Sequence, residues 1–228
     1  MMVESRNNMA EMAMARANVY GLLADVFRES PSGLLLLKLG EPEFSGSLKA
    51  LGLSLDEVFG EVPHRQLVED LAIEYTRLFI GPSNHISPHE SMHCDVRFGE
   101  KKALWGDQTV AVKKFMQAAG MEIDDGFGGM PDHISAELEF MQQLLQNECD
   151  AWVNEDDELA CNILSIEKKF YDEHLSQWVA NFCDTVIELS KHVFYAQFCE
   201  VTKGYMSFEK ETLRELIDEA EESVRLSA

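Results

Sequence analysis

The spacing of apolar residues constrains the fold of this chain more than any other feature of its sequence. Val19, Leu22, Leu23, Val26 and Phe27 recur at intervals of one, three and four positions. This spacing places apolar side chains on one face of an α-helix. No stretch alternates apolar and polar residues as a half-buried strand does, and no Asn-Gly hairpin turn occurs. The sequence therefore predicts an all-α protein.

Similar stripes extend through most of the remaining chain, and glycine or proline follows several of them. The stripes lie within residues 64–80, 105–119, 134–152, 159–170, 175–189 and 213–220. The first helix is expected to stop before Pro31, the stripe at 64–80 ends at Gly81-Pro82, and Gly120 is placed as a C-terminal cap. We expect a single helical bundle of roughly ten helices.

One glycine-rich stretch divides this bundle. Residues 124–131 read DDGFGGMP, and Pro131 suits the first turn of a following helix, where its missing N–H costs nothing. A chain of 228 residues fits one domain. We therefore expect one all-helical domain over residues 1–228, with an N-terminal part at 1–123, a hinge loop at 124–131 and a C-terminal part at 132–228.

The charge of the chain is strongly acidic. Forty-one acidic residues face nineteen basic ones, which gives a formal net charge of −22. Such a charge repels nucleic acid phosphates and anionic membrane surfaces, and it favours cationic partners. Solubility or a saline habitat would explain the acidity equally well. The composition predicts no nucleic acid partner.

Targeting and cysteine signals are weak. The first twenty residues lack the basic start and apolar run of a secretory signal, and the longest apolar stretch, Leu34 to Leu37, is too short to span a bilayer. The five cysteines include no CxxC pair, so neither a disulfide framework nor a zinc knuckle is indicated. We expect a cytoplasmic protein with no stable membrane insertion.

Residues 74–95 read EYTRLFIGPSNHISPHESMHCD and carry a dense group of histidines. On a continuous helix His85, His89 and His93 would stack on one face, and with Cys94 they would suit zinc. Pro88 removes a backbone hydrogen bond between His85 and His89, which disfavours such a helix. We expect loop histidines and no metal. A metal-binding protein using His85, His89, His93 and Cys94 remains the alternative.

No catalytic signature is present. The chain contains no GxSxG, P-loop, GxGxxG or HExxH pattern. Cys94 follows His93, but sequence neighbours seldom have the geometry of a nucleophile and its base. The GFGG sequence at 126–129 lacks a following lysine, so a phosphate cradle is a weak signal there. We therefore expect that the protein is not an enzyme. The second alternative is a nucleotide-binding hydrolase with its site near residues 126–133.

A binding surface is the remaining interpretation. Tyr75, Leu78 and Phe79 share a helical face beside the loop that contains Glu90, and Asp132 precedes the helix expected at 134–152. Apolar residues at helical spacing most often form core, and an aspartate at a helix start is most often an N-cap. The residues alone leave the structural and the binding roles open.

Three sequence blocks resemble a known family. The blocks are EYTRLFIGP at 74–82, PHES at 88–91 and PDHISAELEFM at 131–141. They resemble the TorD/DmsD/NarJ family of redox-enzyme maturation chaperones, whose pattern is an aromatic residue, LFxGP, PYES, and EPxDH before a helix carrying LxFM. Order and separation are similar. His89 stands where the family usually has an aromatic residue.

The resemblance implies a cytoplasmic chaperone that is not an enzyme and retains no cofactor. Such a protein binds the precursor and twin-arginine signal peptide of a molybdenum-containing oxidoreductase, assists cofactor insertion and delays export. The resemblance leaves weak guanine nucleotide binding open, as well as the choice between monomer and homodimer. The implied signal-peptide-binding residues are Tyr75, Leu78, Phe79, Gly81, Pro82, Pro88, His89, Glu90, Ser91, Asp132 and His133.

The physical demands of such a ligand agree with these residues. A twin-arginine signal offers two guanidinium groups beside an apolar run, so its receptor needs carboxylates next to an apolar groove. Glu90 and Asp132 are expected to supply the carboxylates, and Tyr75, Leu78 and Phe79 are expected to line the groove. Prolines in the loop would reduce the entropy lost on docking.

Overall fold

The structure is a computed structural model that describes residues 2–41, 49, 53, 55–60, 63–82, 85–94, 104–121 and 129–227. The described residues form helices and one isolated β-bridge, and they include no strand. The predicted all-α fold is therefore confirmed. None of the described helices is long and apolar enough to cross a membrane.

The described residues form nine α-helices, several of them joined by tighter or wider turns. Their bounds are α1 Met2–Arg28, α2 Gly33–Leu39, α3 Leu55–Phe59, α4 His64–Tyr75, α5 Asp107–Ala118, α6 Ile134–Val153, α7 Asp157–Phe170, α8 Ser176–Leu189 and α9 Val193–Ser227. A π-helical turn at Thr76–Ile80 extends α4, and another at Tyr171–Leu175 makes α7 and α8 continuous. Counted as continuous runs, the described part of the chain has eight helices, slightly fewer than the roughly ten predicted.

The core forms around the packing of α1 on α6. Small buried residues at positions 10, 13, 17 and 24 of α1 are all alanine, which allows the two helices to approach closely. At Gly21, an added Cβ would lie 2.3 Å from the Nε2 atom of Gln142 on α6. Helices α7, α8 and α9 complete the core on the other faces. The long helix α6 is thereby fixed, and its N-terminus provides the base of the site.

Several local expectations are refined. Helix α1 begins at Met2, well before the apolar stripe that starts at Val19. Trp105 lies before α5 and has a φ of 63°, so it is not part of that helix. Gly120 has a φ of 85°, as its predicted capping position requires. Pro131 lies in a turn and α6 begins at Ile134, because the cap is His133.

Most of the expected hinge at 124–131 has no counterpart in the structure, since residues 122–128 lie outside the described part of the chain. The division into parts at 1–123 and 132–228 therefore stays a prediction. The GFGG sequence, on which the nucleotide alternative rested, falls largely in the same stretch.

Candidate functional site

The loop at residues 85–94 crosses the start of α6. The Glu90 N–H donates to the carbonyl oxygen of Asp132 at 2.9 Å, and the Ile134 N–H donates to the carbonyl oxygen of Pro88 at 2.9 Å. These two bonds form an antiparallel bridge between His89 and His133. We call the contact between residues 85–94 and 131–134 the loop–helix junction. It joins the PHES block to the PDH block.

The π-helical turn at the end of α4 fastens the other end of this loop. The Gly81 N–H donates to the Thr76 carbonyl oxygen at 2.6 Å, five residues back. The Ile86 N–H then donates to the carbonyl oxygen of Leu78 at 2.7 Å. Turns of this type often lie at functional sites. The LFIGP block therefore fixes where the loop begins, and all three blocks meet in one region.

The side chain of Asp132 connects the start of α6 to the loop and to α5. Its side chain is fully buried, and its Oδ2 atom accepts hydrogen bonds from the Ser91 N–H at 3.2 Å and the Thr109 hydroxyl at 3.0 Å. Thr109 belongs to α5. The N-cap of α6 is instead His133, whose Nδ1 atom accepts from the Ser135 N–H at 3.2 Å. The usual capping role of an aspartate at a helix start does not apply to Asp132.

Glu90 is fully buried and paired inside the fold. Its Oε2 atom lies 2.9 Å from Nδ1 of His174, which the second π-helical turn directs inward. The Cys94 thiol donates to Oε1 of Glu90 at 3.5 Å. The carboxylate is therefore enclosed, and no part of it faces solvent.

A second carboxyl group lies next to Glu90. Glu137, in the first turn of α6, has no exposed surface, and the Trp178 indole N–H donates to its Oε2 atom at 3.1 Å. Burial, and next the negative charge of Glu90, hold the pKa of Glu137 well above its usual range. Burial therefore favours the protonated carboxyl of Glu137, which can donate a hydrogen bond.

Burial also favours the neutral form of the two histidines of the bridge, by lowering their pKa values. Burial, together with the neighbouring His89 ring, lowers the pKa of His133 to about 4. Burial also lowers the pKa of His89. The rings meet edge to face with centroids 5.0 Å apart. Because Nδ1 of His133 accepts a backbone N–H, the proton of the neutral ring is on Nε2.

The histidines do not converge as the zinc alternative requires. His85 is exposed, whereas the His93 ring stacks on Trp178 with centroids 5.3 Å apart. The Nε2 atom of His93 lies 2.6 Å from the carbonyl oxygen of Ser87. Among the described residues, no group of three or more His, Cys, Asp or Glu side chains could hold a metal ion. The ladder of imidazoles is not formed, because the loop is not a continuous helix.

The apolar face of α4 is core and does not line an exposed groove. Tyr75, Leu78 and Phe79 are all buried. The Tyr75 hydroxyl donates to the carbonyl oxygen of Phe27 at 3.1 Å, and the Phe79 ring stacks on Phe182 of α8 at 6.0 Å. The expected groove is absent at these residues because α1, α8 and α9 cover that face.

The candidate site residues fall into two groups. Those buried beneath the junction are Tyr75, Leu78, Phe79, Pro88, Glu90, Ser91 and Asp132. Those at least partly exposed are Gly81, Pro82, His89 and His133. The buried group holds the loop in place, and the exposed group offers the accessible surface.

Sequence reasoning missed four side chains of this region: Thr109, Glu137, His174 and Trp178. A signal was present for His174, which lies four residues after Phe170 and four before Trp178 in an apolar stripe. Glu137 also lies on the inner face of α6, three residues after Ile134 and one before Leu138. Polar residues on a buried face require internal partners, so their positions predicted a polar contact but not the partner.

The three blocks that resemble the redox-enzyme maturation chaperones thus meet where the PHES loop is bridged to the PDH helix start. The sequence model of the family described as "Nitrate reductase delta subunit" matches residues 41–184. The chain belongs to this family, and its resemblance to the TorD/DmsD/NarJ group is confirmed. It is also 22% identical over 216 residues to "Chaperone protein TorD" of Shewanella piezotolerans (strain WP3 / JCM 13877), with 87% of this chain and 92% of that protein covered.

Proposed function

We propose that this protein is a cytoplasmic chaperone that binds the twin-arginine signal peptide and precursor of a molybdenum-containing oxidoreductase. In this role it assists cofactor insertion and delays export until maturation is complete. It carries out no catalytic step. The observation that supports this proposal is the loop–helix junction, where the two neighbouring blocks at 74–82 and 88–91 meet the distant block at 131–141.

The proposed contact surface is the accessible side of the junction. The imidazoles of His89 and His133 are partly exposed there, and a neutral His133 ring with its proton on Nε2 can donate that proton to a peptide carbonyl oxygen. Gly81 and Pro82 continue this surface at the start of the loop. Glu90 and Asp132 act from below by holding the loop, since neither carboxylate is accessible to a peptide.

Charge and ring shape favour an arginine pair over other ligands. The net charge of −22 accelerates encounter with a basic peptide. A guanidinium group stacks on flat rings, whereas an ammonium group is a more strongly hydrated point charge. The Tyr75 ring is buried and cannot serve for stacking in this conformation, so the accessible imidazoles replace it.

The test compares two peptides that differ only in the pair of basic residues. We expect a peptide with Arg-Arg before an apolar run to bind about tenfold more tightly than its Lys-Lys counterpart, because a guanidinium group stacks on the accessible imidazoles and an ammonium group does not. Calorimetric titrations at two salt concentrations measure both affinities. Equal affinities that collapse together in high salt would indicate nonspecific attraction to an acidic surface. Equal affinities that resist salt would indicate recognition of the apolar run alone.

A further inference from the structure

Three side chains outside the loop surround the Glu90 carboxylate, and two of them, His174 and Trp178, also lie outside the three family blocks. Glu137 comes from α6, His174 from the π-helical turn between α7 and α8, and Trp178 from α8 itself. All three are buried. Glu90 is thus held by parts of the chain that are 47 and 84 positions away from it, and none of them belongs to the loop.

The hydrogen bonding of Glu137 is incomplete unless the residue is protonated. Its Oε2 atom accepts the indole N–H of Trp178, but its Oε1 atom is buried and has no donor among the described residues. A buried carboxylate oxygen without a donor is costly. If the carboxyl group of Glu137 carries a proton, it becomes a donor, and the Glu90 carboxylate, which lies within hydrogen-bonding reach of it, is the acceptor. The raised pKa of Glu137 agrees with this arrangement.

We propose that Glu137, oriented by Trp178, is a positioning residue that keeps the loop docked by donating its carboxyl hydrogen to Glu90, while His174 holds Glu90 from the other side. This inference rests on the proposed function in one respect, namely that the docked loop is the form that binds the peptide. The docking itself is independent of any ligand.

This hydrogen bond makes the docking of the loop depend on pH. The groups that face Glu137 or share its partner are Glu90 and Asp132 at the junction, His174 on the π-helical turn and the Cys94 thiol. Removing the proton from Glu137 would place two carboxylates against each other in a buried site, with a third nearby. Like charges in such a site repel strongly. The loop is therefore expected to loosen as pH rises.

The first experiment measures docking by hydrogen exchange at the amides of Glu90, Ser91 and Ile134, which bond across the junction. In Glu137→Leu, whose side chain is similar in size but has no donor, we expect the opening constant of these amides to rise roughly tenfold. In Glu137→Gln, whose amide can both donate to Glu90 and accept from Trp178, we expect the wild-type value. The comparison of His174→Leu with His174→Gln repeats this test for the bond between His174 and Glu90.

A control separates positioning from general loss of stability. Leu145→Ala opens a cavity in the same helix away from the cluster, where Leu145 is fully buried. If Glu137→Leu exposes the three amides no more than Leu145→Ala does at equal global stability, the proposal is overturned. It is also overturned if Glu137→Gln behaves like Glu137→Leu.

The second readout is the pH profile. After correction for intrinsic exchange, the opening constant of the wild type should rise with increasing pH, and that of Glu137→Gln should stay flat. A flat wild-type profile together with normal exchange in Glu137→Leu would contradict the role of the proton. Failure of the Arg-Arg peptide to bind wild-type protein would overturn the proposed function but would leave these exchange results interpretable.

Finally, peptide affinity links docking to binding. With the Arg-Arg peptide as the probe, Glu137→Leu should weaken binding per folded molecule about tenfold, and Glu137→Gln should restore it. If Glu137→Leu loosens the loop while the affinity stays unchanged, the docked loop is not the binding form, and that part of the inference is wrong.

Discussion

Two adjacent residues at the start of α6 have separate tasks. His133 caps the helix, and Asp132 holds the loop and α5. An aspartate and a histidine before a helix would be expected to have the opposite roles, because aspartate is the better cap. The assignment follows from direction: the side chain of Asp132 is turned inward, and that of His133 is turned back over its own helix.

Asp132→Asn should therefore weaken peptide binding more than a lost cap would. The neutral amide accepts weaker hydrogen bonds from Ser91 and Thr109, so we expect the affinity per folded molecule to fall about tenfold. Asp156→Ala is the matched control, because the carboxylate of Asp156 caps α7 through the Leu159 N–H. The control should lose about 1 kcal/mol of unfolding free energy and no affinity. Unchanged affinity in Asp132→Asn would remove the residue from the site.

His133 should make the protein sensitive to acid. Its folded pKa of about 4 lies below the usual value near 6.5, so the unfolded chain binds more protons between these limits. The stability due to the neutral ring is therefore present above pH 6.5 and is lost as pH falls toward 4. His133→Asn keeps a capping oxygen without this titration. Urea unfolding at pH 7 and pH 4.5 should show a smaller loss in the variant than in the wild type.

At the scale of whole helices, one buried cation joins four of them. Arg16 of α1 bonds to Glu148 of α6 at 3.3 Å, Glu167 of α7 at 2.8 Å and Glu209 of α9 at 2.5 Å. Burial raises the pKa of Glu167 well above its usual range and also raises that of Glu148. One guanidinium group cannot balance the charge of three carboxylates. The raised pKa values favour protonation of Glu148 and Glu167, which removes the excess negative charge.

Arg16→Met should destabilise the bundle strongly. Removal of one partner leaves buried carboxylates uncompensated, at a cost of roughly 3 to 5 kcal/mol in unfolding free energy. Arg6→Met is the control on the same helix, since Arg6 bonds to Asp157 and Glu155 at the protein surface. Exposed pairs of this kind contribute little, and we expect almost no change. Similar urea midpoints for both variants would show that the buried cluster does not join the helices energetically.

At the scale of the whole molecule, the fold is expected to need no metal ion. The described helices pack around a continuous apolar core, and no group of candidate ligands converges among the described residues. Incubation with a strong chelator should leave the melting temperature unchanged. A structural ion contributes folding free energy directly, so a fall of many degrees that added zinc reverses would restore the metal alternative.

Some elements could be predicted from the sequence because their signals are local. The stripes at 64–80 and 134–152 and the cap at Gly120 depend on neighbours within a few residues. The N-terminal half of α1 was missed for the opposite reason. Its buried face is built largely of alanine, which carries little apolar signal, and it became recognisable as a face only against α6.

The sequence by itself determined the helical class, the existence of most of the longer helices and the three blocks that identify the family. Only the tertiary structure decided that Tyr75, Leu78 and Phe79 are covered, and that His174 is the partner of Glu90. The physical reason is that periodicity marks which side of a helix is apolar, whereas the partner of that side depends on long-range packing. Glu90 and His174 are 84 positions apart, and no local pattern couples them.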